Sequence, residues 1–101
     1  MKMKAYAVFD IKAQVFTQPF FQLNDAVAQR IIQNAANSEG HNYNLNPEDF
    51  ELWCIGEYND QDGLLTPSKS KILDVATLIK QPRLPLDTNP SNGLEAKDLQ
   101  I

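Results

Sequence analysis

The sequence predicts an α+β domain: an N-terminal β-hairpin, one helix and a second β-hairpin, whose strands form an antiparallel sheet packed on the helix. Three observations predict it. Apolar residues alternate with period two over residues 3–11 and again over 14–23. A stretch from about 25 to 38 changes to helical spacing. A second apolar run, Phe50 to Tyr58, leads into the turn signal Asp62-Gly63.

In the first strand, Met3, Ala5, Ala7, Phe9 and Ile11 line one face and Lys2, Lys4, Tyr6, Val8 and Asp10 the other. In the second, Val15, Thr17, Phe21 and Leu23 oppose Gln14, Phe16, Gln18, Phe20 and Gln22, and Pro19 marks an edge or a bulge. Placing Phe9 on the face of Val15 and Thr17 requires a loop with an odd number of residues, such as 11–13. A two-residue loop would set Phe9 opposite Phe16 and mix the faces. In the odd-loop register Lys4 lies opposite Phe20, Tyr6 opposite Gln18 and Val8 opposite Phe16. The helix is expected on the face bearing Phe9, Val15 and Phe21.

Asn24 is the helix cap and Asp25 complements the dipole in the first turn. Val27, Ile31, Ala35 and Ala28, Ile32 keep helical spacing, and Gly40 is the expected C-cap. Residues 41–46 read as polar loop. Asn46-Pro47-Glu48-Asp49 predicts one short helical turn before the next strand. Phe50–Tyr58 then reads as a strand buried on much of both faces, returning through Asp62-Gly63 into a short strand at about 64–66. Residues 72–79 fit a helix stripe by spacing and a strand by β-branched content, and the expectation leans to a strand or irregular extended segment. Residues 1–80 form the single domain. Residues 81–101, with Pro82, Pro85 and Pro90 among polar residues, read as a flexible C-terminal tail.

Composition excludes much. The 101 residues suit one domain large enough for its own core. With one cysteine, Cys54, and one histidine, His41, there is no disulfide framework and no Cys/His zinc set. No apolar run reaches the roughly 20 residues of a membrane span. No nucleophile, phosphate-loop or metalloprotease motif is present, and Glu48 and Asp49 are accounted for as first-turn acids. Asp60-Gln61-Asp62-Gly63 is a turn; read as a calcium loop it would put Lys69 where glutamate is required. The expectation is a protein that is not an enzyme and holds no cofactor or metal.

The net charge of −4 argues against a protein that coats nucleic acid electrostatically. The charge is uneven, however: residues 1–23 carry a net +2 and five of the nine aromatics, Tyr6, Phe9, Phe16, Phe20 and Phe21. In the predicted register Lys4, Tyr6, Phe16 and Phe20 share the face turned from the core, with Lys12 near the loop. Rings beside lysines on an exposed sheet are how sequence-tolerant single-strand binders work. The bland reading packs that face against a helix or a second subunit. Trp53 and Ile55 exceed what one helix covers, so a homodimer is expected, with sheet-edge pairing as its route.

Tyr6-Ala7-Val8-Phe9-Asp10 with Lys12-Ala13, Pro19-Phe20-Phe21 before the helix, and Pro47-Glu48-Asp49-Phe50-Glu51-Leu52 running into Ile55-Gly56-Glu57-Tyr58, an acidic turn and Gly63 resemble a known family. They are similar to the small non-structural proteins of gokushovirus-type microviruses, single-stranded DNA bacteriophages. The resemblance covers about residues 4–80. It implies a DNA-binding or replication-associated role in the cytoplasm of the bacterial host, and brings no catalytic residues. Single-stranded DNA, bound during genome replication or packaging, is therefore the expected partner. The alternative is an adaptor that binds a phage or host replication protein.

Overall fold

The computed structural model describes residues 1–80, so the tail expected at 81–101 lies outside the described residues. The sheet is built about β1 (Lys2–Asp10). On one side β1 pairs with two short segments, β2 (Val15–Phe16) and β3 (Phe20–Gln22). On the other it pairs with β4 (Phe50–Asn59), which pairs in turn with the outer strand β5 (Leu64–Asp74). Every pairing is antiparallel. Helix α1 (Asp25–Ala36) lies on one face of this sheet, followed by a single-turn helix α2 (Asn42–Leu45). The α+β architecture is the one the alternation and the helical spacing predict.

The first hairpin departs from its expected register. Its turn has four residues, Ile11–Gln14, not three, because Asp10 organises it. The Asp10 carboxylate accepts the Ala13 N–H at 3.1 Å, and its carbonyl accepts that of Gln14 at 2.8 Å. Gln14 takes φ of +61°, a conformation that the composition of the turn does not advertise. Phe9 therefore faces Phe16, and Asp10 faces Val15. The mixing of faces this implies is undone at Thr17–Pro19. Thr17 exchanges bonds with Val8 through its N–H and hydroxyl, and after Pro19 the register has slipped by one residue, so Tyr6 faces Phe20 and Ala5 faces Phe21. Strict alternation would put Phe16 and Phe20 on one face. The slip puts them on opposite faces.

The helix also lies on the other face from the one expected. It covers Tyr6 and Val8, not Phe9, Val15 and Phe21. Those two join Leu52, Phe50, Val75 and the α1 stripe Ala28, Ile32 and Ala36 in the core. The charged members of that strand face, Lys2, Lys4 and Asp10, sit at its margins, where they stay exposed or partly solvated.

The local chemistry of α1 follows its sequence at the start. The Asn24 carboxamide accepts the Val27 N–H at 3.0 Å. Its end comes earlier than Gly40: Asn37 closes the last turn, its side-chain N–H donating to the Gln33 and Leu78 carbonyls while its oxygen accepts from Lys80. This one side chain ties the helix to the 3₁₀ turn at Val75–Leu78. Residues 42–45, expected as loop, form α2, capped by His41 Nδ1 accepting the Tyr43 N–H and anchored by the Asn44 side chain donating to Ala36. The turn after Asn46 forms as expected, as a 3₁₀ turn at Pro47–Asp49.

The second hairpin is longer than its sequence suggests. β5 is one strand through Thr66–Lys71 to Asp74, although its register against β4 shifts between Leu52 and Trp53 and again between Cys54 and Gly56, and Val75, expected to be extended, begins the 3₁₀ turn. Ile55 is an extra residue against β1, since Ala5 pairs with Gly56 and Tyr6 with Cys54. At Gly56 β5 crosses so closely that a Cβ would lie 2.8 Å from the Thr66 carbonyl oxygen, a backbone atom that cannot step aside. Gly56→Ala is expected to destabilise the fold by about 1–3 kcal/mol in denaturant titration, by pushing the two strands apart. The exposed long edge of the sheet is β5, which carries Pro67, Lys69 and Lys71, residue types that block edge-to-edge pairing. The opposite edge is two short segments broken at Pro19.

Candidate nucleic-acid interface

No described element covers the sheet face opposite α1. On β1 that face carries Met3, Ala5, Ala7 and Phe9, by alternation from the buried Tyr6 and Val8. Two groups of rings stand on it. Phe9 and Phe16, paired across the strands, lie 4.7 Å apart between centroids, and Trp53 meets Phe16 edge-on at 6.1 Å. Farther along the sheet Phe21 contacts Tyr58 at 5.8 Å. Ala5 and Ala7 lie on β1 between the groups and are themselves buried, 2% and 0% exposed. From Phe9 to Ala5 along β1 is about 13 Å at ordinary strand rise. Phe16 and Phe21 remain 37% and 38% exposed, so their ring surface is offered to solvent.

The charges on this face are arranged unequally. Lys71 is neutralised by Glu51 at 3.1 Å and Asp74 at 2.8 Å, and these carboxylates push its pKa up. The second oxygen of Glu51 accepts the indole N–H of Trp53 at 3.1 Å, which orients that ring. Lys69 has no ion-pair partner among the described residues. Its ammonium lies over two rings at once, 5.1 Å from the Phe16 centroid and 5.3 Å from that of Trp53.

The residues singled out in the sequence are divided by the register. Phe16 is on the open face, and Lys12 is exposed in the turn at its end. Tyr6, Phe20 and Lys4 go to the helix side. Tyr6 is fully buried against Phe20, with centroids 5.7 Å apart, and donates its hydroxyl proton to Asp25 at 2.7 Å. Burial and then the Asp25 carboxylate push its phenol far above the ordinary value. Lys4 approaches the same carboxylate at 3.6 Å. Neither Tyr6 nor Phe20 presents a ring face to the open side of the sheet. Sequence reasoning misses Phe9, Trp53, Tyr58 and Lys69 as members of one surface. Trp53 sharing its strand face with Glu51, two residues away, is a usable signal for an outward ring; Lys69 gives none, because its partners are remote in sequence.

On the helix side, a cleft of about 360 Å³ opens beside the first residue of α1, lined by Lys4, Asp25, Cys54, Glu57 and the hydroxyls of β5. Cys54 there donates to the Gly56 carbonyl at 3.7 Å. Among the described residues no helix is long and apolar enough to cross a membrane.

Fold and site together define a small two-layer α+β protein with an uncovered aromatic sheet face. Residues 3–79 match the family described as Phage ORF5 protein, and the chain belongs to that family; it is a phage protein. No curated protein and no solved structure matches it.

Proposed function

We propose that this phage protein binds single-stranded DNA on its open sheet face, and does so during genome replication or packaging in the cytoplasm of the bacterial host. The resemblance to microviruses of the gokushovirus type, whose genomes are single-stranded, supports the choice of DNA. The observation that carries the reading is the ring group Phe9, Phe16 and Trp53 with the ammonium of Lys69 upon it, unpaired among the described residues. Bases stack on such rings irrespective of sequence, and a cation beside them meets the phosphates. A duplex hides its base faces and has nothing to offer the rings. The chain's net charge of −4 keeps this contact local, so affinity rests on stacking more than on counterion release.

Trp53 is the one tryptophan of the chain and lies in the site, so its emission reports occupancy. Titration with an oligothymidylate at low salt is expected to quench it and to weaken as salt rises. Duplex DNA of the same length is expected to leave it nearly unchanged, and an RNA arm separates the two kinds of single strand. A second reading, the adaptor for a replication protein, draws on Leu64 and Leu65 at the hairpin tip, which are 64% and 57% exposed. It is favoured by a Trp53 signal that no oligonucleotide changes.

A further inference from the structure

We infer that Lys69 is a displaceable cap on the stacking surface: in the free protein its ammonium occupies the faces of Phe16 and Trp53, and on binding it leaves them for a phosphate while bases take its place. This rests on the single-strand reading above. Lys69 is on the rings because it competes poorly for carboxylates. Lys69 and Lys71 both reach the open face from β5, and the carboxylates of that neighbourhood are already committed. Glu51 gives one oxygen to Lys71 and the other to the Trp53 indole, and Asp74 also holds Lys71. Lys69 is left with ring faces, 5.1 Å and 5.3 Å away.

A base and an ammonium cannot occupy the same face of a ring, so stacking must move Lys69. The move is an easy one. The side chain is exposed and flexible, and a cation over the exposed Phe16 and the half-buried Trp53 at the protein surface is held weakly. A base stacked on the vacated ring brings its own phosphate within reach of the same flexible chain, so the charge need travel only from the ring to the strand. The device keeps an aromatic surface covered when no strand is present, which limits its contact with other apolar surfaces. It also makes Lys69, and not Lys71, the residue through which this face senses salt.

The test compares Lys69→Gln, Lys69→Arg and Lys71→Gln with the unaltered protein. All three variants alter exposed positions, so the fold is expected to survive. In the free protein, ring currents should shift the Lys69 side-chain methylene resonances upfield, and adding oligothymidylate should return them toward ordinary positions. Lys69→Gln should lower the slope of log affinity against log salt by about 0.7, the share of one phosphate on a single strand. Lys69→Arg should restore the slope, and Lys71→Gln, which frees the Glu51 carboxylate, should draw Lys69 off the rings and lessen its upfield shift in the free protein. Ordinary Lys69 resonances in the free protein, or a full slope in Lys69→Gln while the unaltered protein binds, overturn the role of Lys69 alone. Absence of any Trp53 response to the oligonucleotide in the unaltered protein overturns the single-strand reading, and this inference with it.

Discussion

Tyr6→Ala is expected to destabilise the protein by about 3–5 kcal/mol, measured by denaturant or thermal unfolding. Tyr6 is fully buried at the centre of the sheet, between the helix stripe and Leu52, and its removal leaves a cavity that strands on both sides frame. Against a total of about 5–15 kcal/mol for an ordinary domain, that loss brings the fold near its limit. Tyr6→Phe separates the hydroxyl from the ring. It keeps the packing and loses only the 2.7 Å bond to Asp25, whose carboxylate is half exposed and keeps Lys4 nearby, so a cost of about 1 kcal/mol is expected. The hydroxyl also sets an alkaline limit. Unfolded, a tyrosine loses its proton near pH 10; folded, Tyr6 keeps it to higher pH. The folded chain thus binds the extra proton above that point. Stability is complete below about pH 10 and falls above it by up to about 1.4 kcal/mol per pH unit. Tyr43, raised by burial and by Asp10, adds a contribution of the same sign. Tyr6→Phe should therefore flatten, and not abolish, the alkaline decline. An unchanged decline in that variant would show that Tyr6 is not the group responsible.

What the sequence makes legible is local. Asn24 at the helix start, the β4 run and the Asp62-Gly63 turn announce themselves through residue types that act on their own backbone. Which face of the sheet receives the helix is a different kind of information. Both faces of β1 are apolar in their middle. The Tyr6 and Val8 face reads as polar only because Lys2 and Lys4 at one end and Asp10 at the other stand at a strand margin that lets them reach water. The register turns on Asp10, whose carboxylate and carbonyl hold a four-residue turn that contains no glycine or asparagine to signal it. Pro19 flags a second irregularity at Thr17–Pro19, but the separation of Phe16 from Phe20 that results does not follow from alternation. β5 reads as two pieces because Thr66–Lys71 has no apolar period. Its pairing is supplied by β4, not by its own pattern. The aromatic surface is legible as a kind of site and not as a set of residues, since Phe16, Trp53 and Lys69 come from three strands.

Phe16→Ala and Phe20→Ala are expected to behave as opposites, although the two residues are four apart and chemically identical. Phe16 contributes an exposed ring that touches Phe9, Trp53 and Lys69, so its loss should barely move the melting temperature. It should weaken oligothymidylate binding by about 1–3 kcal/mol, one stacked base. Phe20 packs on Tyr6 inside the helix layer, and part of its ring still meets solvent. Its loss should cost stability at the low end of the roughly 3–5 kcal/mol typical of buried phenylalanine. Binding by the molecules that remain folded should be nearly unaltered. The pair tests the register and the function separately. A large stability loss from Phe16→Ala would mean that the open face is covered in solution, by a second copy or by residues that the helix does not reach. Equal, small stability losses from both variants would overturn the slip at Thr17–Pro19. A stable Phe16→Ala protein with full DNA affinity would leave the fold intact and remove stacking at the Phe16–Trp53 group from the account, because no other ring stands in contact with Trp53 and Lys69 together among the described residues.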